Sequence, residues 1–297
     1  MAERITFFSD GIELVGYLHV PKGISAGEKR SAIVLCPGFG AHQERFLPDM
    51  AGYLTDNGFV SLTFDYRGFG ESEGHRWRMI PQEQVKDISS AITFLQLRGE
   101  VDPDRIGLHG ISFGGANVCY VASVDPRVKC LVSIVGVGCG EKWLRGLRRT
   151  WEWKAFLKEL EDDRRHRAVN GASRIVDRLH IMLPDPDSAE MIRLTQARYP
   201  DTCTEMPLET ADAVINFHPQ EVMKREPPQN ALFIVAEEDD LVPDYNTREL
   251  YHAASEPKRW VVLEGCGHYQ AYGSPYYERV MTESTAWFTR FIPPGAG

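Results

Sequence analysis

Three short stretches of this chain carry residue types that could do chemistry together. The first is His109-Gly110-Ile111-Ser112-Phe113-Gly114-Gly115, in which one serine stands between glycines two residues before and two residues after it. An apolar run precedes it and a helical pattern follows, so Ser112 falls on a strand-to-helix turn. A turn that sharp strains the serine backbone and leaves little room for neighbouring side chains, which glycine provides by lacking a Cβ. The serine oxygen is then presented at a helix N-terminus, where the free amide of Phe113 and the helix dipole favour a developing negative charge. This G-x-S-x-G arrangement is the nucleophile elbow. The bland alternative is a tight turn whose serine only caps the helix.

A nucleophilic serine needs a base, and the base needs an orienting acid. Of the nine histidines, His268 lies in EGCGHYQAY, a glycine-containing loop after the last apolar run. His19, His109, His166, His180, His218 and His252 read as core or surface, whereas His42 and His75 follow earlier strand-to-helix turns and could line a site. The acid is expected from AEEDDLVP, which offers Asp239 and Asp240. The chain order is then Ser, Asp, His.

The elements that must position these residues are legible as alternation. Residues 4–8 and 13–20 read as two strands joined at Asp10-Gly11. Apolar runs at 32–36, 60–64, 106–109, 131–135, 232–236 and 260–263 fit strands buried on both faces. Helical patterns at 46–55, 84–97, 116–124, 246–254 and 276–291 lie between or after them. The reading is an α/β protein with a mostly parallel sheet. In such a sheet the loops after the strands open on one edge, which brings Ser112, the acid and His268 together.

The alternation breaks at about 138–228. Leu144, Leu147 and Trp151, then Trp153, Phe156, Leu157 and Leu160, mark a helical stripe there. The expected organisation is a core in two parts, 1–137 and 229–297, with a helical lid insertion over 138–228.

The five segments CPGFGAHQERF, FDYRGFGESEG, HGISFGG, AEEDDLVP and GCGHYQAY, in that order, resemble those of α/β-hydrolase fold serine hydrolases. The nearest likeness is to the branch of dienelactone-hydrolase-like and X-Pro dipeptidyl-peptidase-like domains. It covers about residues 31–272, except the insertion. The resemblance implies an α/β-hydrolase fold and a Ser112-His268-Asp239 triad, since Asp239 stands three residues before the Val-Pro pair. It places the second oxyanion-hole amide, beside that of Phe113, at Phe39. Here Pro37 stands where the family usually has histidine, which changes a flanking residue and not the donating amide. Asp65, Arg67, Gly68, Gly70 and Ser72 match a structural turn of the family. The same resemblance excludes a dehalogenase, which would need Asp at the elbow, and a dienelactone hydrolase proper, which would carry Cys there.

The reaction expected is cleavage of a small or medium acyl substrate, a carboxylic ester first, through an acyl-enzyme. Amides and thioesters are close relatives. Carbon–carbon cleavage of β-diketone-type substrates and acyl transfer use the same triad, and a non-enzymatic ligand sensor is the third class. For the pocket, His42, Tyr66 and Trp143 are the candidate substrate contacts, with Trp151 and Trp153 as further aromatic wall. Arg145, Arg148 and Arg149 read as a solvated helix face, with a clamp for a substrate carboxylate as the sharper alternative. No cofactor or metal is called for.

Bulk properties set the remaining bounds. The 297 residues carry a formal charge of −9, which argues against a nucleic-acid partner. With 43% hydrophobic and 25% charged residues the chain should pack a core. The N-terminus lacks a long apolar stretch, and no run approaches the roughly 18 residues that span a bilayer. The six scattered cysteines form no CxxC pair, so a reduced cytoplasmic enzyme is expected. Its partners would be a small-molecule substrate, no membrane, and possibly a second copy in a homodimer.

Overall fold

The computed structural model describes residues 2–25, 27–199 and 201–295. The chain opens on an antiparallel hairpin, β1 (Glu3–Ser9) and β2 (Ile12–His19). Asp10 and Gly11 both take positive φ, 50° and 82°, the geometry that matches a two-residue turn to the twist of its strands. Then follow β3 (Arg30–Cys36), α1 (Leu47–Asp56), β4 (Val60–Phe64), α2 (Pro81–Gln96), β5 (Val101–Ile111), α3 (Phe113–Val124) and β6 (Val128–Ile134). After β6 the chain leaves the sheet through α4 (Gly140–Gly146), α5 (Thr150–Asn170), β7 (Ile175–Asp177), α6 (Arg178–Ile181), α7 (Pro186–Arg198), β8 (Glu205–Pro207), α8 (Glu209–Ile215) and α9 (Pro219–Arg225). It returns as β9 (Ala231–Ala236), α10 (Tyr245–Ala253), β10 (Lys258–Leu263), a 3-10 turn at Gln270–Tyr272, and α11 (Tyr277–Phe291).

The main sheet runs β1-β2-β4-β3-β5-β6-β9-β10. The six strands from β4 to β10 in this order are parallel, and β2 joins β4 antiparallel. Helices cover both faces, which is why the strands read as continuous apolar runs. Side chains alternate between two cores. Ala32, Val34 and Cys36 pack with Ile88, Ile92 and Ala116, while Ile33 and Leu35 pack with Met50, Leu54 and Phe288. From β3 the chain steps to β4 on one side, then crosses back to β5 on the other. The switch therefore lies between the carboxyl ends of β3 and β5, where a ligand crevice is expected in an open α/β sheet.

The strands lie within a few residues of their expected positions. β5 is longer, because Val101 pairs with Arg30 ahead of a register shift before Ile106. α2 starts at Pro81, as a proline suits the first helical turn. The insertion differs more. Its expected single stripe is broken between α4 and α5, where Glu152 accepts the Arg149 amide at 2.7 Å and a new helix begins. The phase resets there, so Trp153 is buried while Trp151 is 65% exposed. β7 and β8 form a small antiparallel pair within the insertion, which the apolar pattern had not marked.

Candidate active site

Ser112 is the single residue between β5 and α3. Its φ of 54° and ψ of −123° lie in a region that costs a non-glycine residue roughly 1–3 kcal/mol. The surrounding sheet holds it there, as the Ser112 amide donates to the Ile134 carbonyl at 2.8 Å. Two glycines make the turn possible. A Cβ on Gly114 would stand 2.2 Å from the Cys36 carbonyl oxygen, and one on Gly110 2.3 Å from that of Gly114. The loop after β3 passes so close that a Cβ on Gly38 would lie 3.5 Å from Ser112 Oγ. Beside this contact the Phe39 amide is free. It and the Phe113 amide at the start of α3 have no acceptor among the described residues.

His268 reaches Ser112 from the loop after β10, with Nε2 3.0 Å from the serine Oγ. Its Nδ1 lies 2.7 Å from Asp239 Oδ2. A carboxylate only accepts, so Nδ1 carries the proton and Nε2 is left to accept from the serine hydroxyl. Asp239 Oδ1 accepts the Val242 amide at 2.6 Å, which fixes the carboxylate. All three side chains belong to residues under 9% exposed. The neighbouring acids have other places. Asp240 and Glu238 face solvent, and Glu237 accepts the Gly265 amide at 2.8 Å, tying the two loops together.

The space above Ser112 is a cavity of about 30 Å3, bordered by Phe39, Phe46, Ile111, Met182, His268 and Tyr272 among others. The three expected substrate contacts do not line it. Tyr66 is fully buried, and its hydroxyl accepts from Asn117 Nδ2 at 3.2 Å inside the core. Trp143 is also buried. It packs edge-on against Phe39, its ring centroid 5.7 Å from that of Phe113, and donates to the Leu241 carbonyl at 2.9 Å, so it backs the two amide-bearing residues. His42 turns to the other side of its loop, against Tyr199 and a separate cleft with Asp65 and Glu71. Burial lowers its affinity for a proton.

A scan against known families matches residues 31–275 to the α/β-hydrolase fold. This chain belongs to the α/β-hydrolase family. A relative described as an uncharacterised 31.7 kDa protein in the traX-finO intergenic region of Escherichia coli is 33% identical over 96% of this chain and 97% of its own length. A thiohydrolase of Eupenicillium brefeldianum is 25% identical over 97% of this chain and 93% of its own. Among solved structures, DcsB in complex with its substrate analogue shares the fold with a TM-score of 0.85 at 21% identity, over 98% of this chain and all of that one. The α/β hydrolase described here is thus an enzyme of hydrolytic or acyl-transfer chemistry.

Three residues at the site of this hydrolase were not singled out by the motifs. Tyr272 ends the motif that contains His268, and its hydroxyl stands 3.4 Å from His268 Nε2. Burial, reinforced by the Asp239 charge, pushes its pKa well above that of an ordinary phenol, so it stays a neutral donor. Arg45 lies in CPGFGAHQERF, two residues before α1, and Arg178 opens α6 in the insertion. Both border the cavity at Ser112. No local pattern could have marked Arg178, because its approach depends on how the insertion folds back. Cys266 is fully buried, and burial holds its thiol at about 12, so it is not a reactive neighbour of His268.

Proposed function

We propose that this α/β hydrolase cleaves a small or medium acyl substrate, a carboxylic ester first, by way of an acyl-enzyme on Ser112. The observation that carries the reading is the continuous relay from Ser112 Oγ through His268 to Asp239, at 3.0 and 2.7 Å. His268 takes the serine proton as Oγ attacks the carbonyl carbon, and Asp239 stabilises the imidazolium that forms. The amides of Phe39 and Phe113 receive the oxyanion, each worth roughly 3 kcal/mol in comparable sites. His268 then gives its proton to the leaving oxygen. A water molecule attacks the acyl-enzyme with His268 again as base, and a cavity of about 30 Å3 has room for such a water.

The insertion over 138–228 serves as the lid in this account. Arg178 and Met182 of that segment border the cavity, which supports the assignment. The name of the thiohydrolase relative supports thioesters as a second acyl class. Acyl transfer and carbon–carbon cleavage draw on the same residues and differ in the acceptor and the leaving group. The closer tie to dienelactone-hydrolase-like and X-Pro dipeptidyl-peptidase-like proteins rests on the shared motifs. No helix among the described residues is long and apolar enough to cross a membrane. The six buried free thiols support a reducing, cytoplasmic setting. The test is hydrolysis of matched p-nitrophenyl esters and acyl thioesters of increasing chain length. Turnover of short or medium esters that disappears in Ser112→Ala supports the proposal. Release of acyl groups only to an alcohol or amine acceptor overturns it in favour of a transferase.

A further inference from the structure

We propose that Arg45 and Arg178 form an anion subsite beside Ser112, and that the acyl substrate therefore carries a carboxylate. The proposal rests on the assignment of Ser112 as nucleophile, since that fixes where the reacting carbonyl lies.

Arg45 is 5% exposed and Arg178 2%. Arg45 Nε and Nη2, and Arg178 Nε and Nη1, are buried without an acceptor among the described residues. Arg178 Nη2 donates to the Phe39 carbonyl at 2.9 Å. The Arg45 guanidinium lies over the rings of Phe46 and Tyr269, 5.1 and 5.0 Å from their centroids. Those contacts hold it in place without supplying a negative charge. Neither arginine forms an ion pair with a carboxylate among the described residues, whereas Arg67 and Arg78, also shielded, do. Arg67 meets Asp87 at 2.6 Å, and Arg78 meets Glu83 and Glu209 at 2.8 Å.

A buried cation without a counter-charge is costly, and two side by side cost more. Burial, together with the nearby Arg178 charge, loosens Arg45's hold on its proton, although Tyr269 works against that loss. A site that keeps both is one arranged for a charge that arrives from outside. Guanidinium groups present paired N–H donors that fit a planar carboxylate. Gly40, at φ 59°, adds to the fit, because a Cβ there would stand 3.1 Å from Arg178 Nε. Arg45 comes from the core and Arg178 from the insertion, so one bound carboxylate would join the two parts over Ser112. Arg45 and Phe46 also border an outer cleft of about 450 Å3 against α7, which gives the rest of a substrate somewhere to lie.

The test uses glutarate as probe and two esters that differ in charge. Calorimetry with Ser112→Ala should show glutarate binding and no binding of neutral glutaramide. Adding Arg45→Met or Arg178→Met should weaken glutarate by about tenfold or more, the worth of one charge-assisted hydrogen bond. In turnover, the wild type should prefer p-nitrophenyl hemiglutarate over p-nitrophenyl valerate in kcat/KM, and either arginine variant should collapse that ratio. Arg45→Lys, which keeps charge but loses the fork, should fall between. Absence of glutarate binding, or an equal loss on both esters in the arginine variants, overturns the subsite. Should the variants not fold, the wild-type charge preference decides alone. Glutarate binding with neither ester cleaved would leave the subsite standing and remove the esterase reading. Cleavage without charge preference would do the reverse.

Discussion

The turn after β4 and the cavity at Ser112 both bury charged side chains, and they treat them in opposite ways. In the turn, Asp65 accepts the Gln43 amide at 2.7 Å, the Gln43 side chain at 3.1 Å and the Glu71 amide at 3.2 Å. Arg67 meets Asp87 through its Nε and Nη2, and also reaches Ser9 Oγ at 2.9 Å. None of Gln43, Asp65, Arg67 or Asp87 keeps a buried polar atom without a partner. At the cavity, Arg45 and Arg178 leave four nitrogens without a partner among the described residues, and the Phe39 and Phe113 amides have no acceptor among them. The chain can satisfy buried charge where it builds framework. That it does not do so around Ser112 separates a site held ready for a ligand from a network that only holds the fold.

The contrast can be broken in several places. The largest effect is expected on activity: Ser112→Ala should lower kcat by about 10^4-fold or more while the protein keeps its far-UV spectrum and melts no earlier. A matching loss of stability would mean that the serine serves the framework. On the framework side, Asp87→Ala leaves Arg67 buried without its partner and should cost about 3–5 kcal/mol in denaturant unfolding. A cost below 1 kcal/mol would erase the distinction between the two regions.

His109 bounds the comparison to charged groups, since it is a fully buried framework histidine with neither ring nitrogen partnered among the described residues. Burial lowers its pKa to about 4. The folded state thus binds the proton more weakly than the unfolded chain, so stability is complete above the unfolded value and falls with pH between about 6.5 and 4. The loss should total about 3 kcal/mol. Unfolding free energies of wild type and His109→Leu, measured across that range, should diverge by this amount; parallel curves would refute the assignment. The smallest effect carries the most telling sign. Arg45→Met removes an unpaired buried charge and should stabilise the unliganded protein by about 1 kcal/mol, at the expense of function. Destabilisation would place Arg45 with the framework.

The parts legible in the sequence are those fixed by local constraint. Gly110 and Gly114 announce the elbow because a backbone carbonyl fills the space of each missing Cβ. Asp239 and His268 follow from chain order, since loops after parallel strands share one edge. The twin-buried strands announce themselves as apolar runs. What stayed hidden depends on distant folding. Trp143 read as pocket wall because aromatic residues in an insertion look alike, whether they face substrate or stand behind Phe39. Trp151 read as part of one stripe with Trp153 and as aromatic wall, because a periodic pattern gives no sign of the break at Arg149. Arg178 lies 66 residues after Ser112 in the chain and meets it only once the insertion has folded over the sheet.

The most direct measurement is labelling with a fluorophosphonate probe, followed by peptide mass spectrometry, with Ser112→Ala as control. One adduct is expected, on Ser112, that vanishes in the variant and in His268→Ala. Labelling at another serine, or no adduct on folded protein opened by a mild detergent, would contradict an activated nucleophile at the elbow.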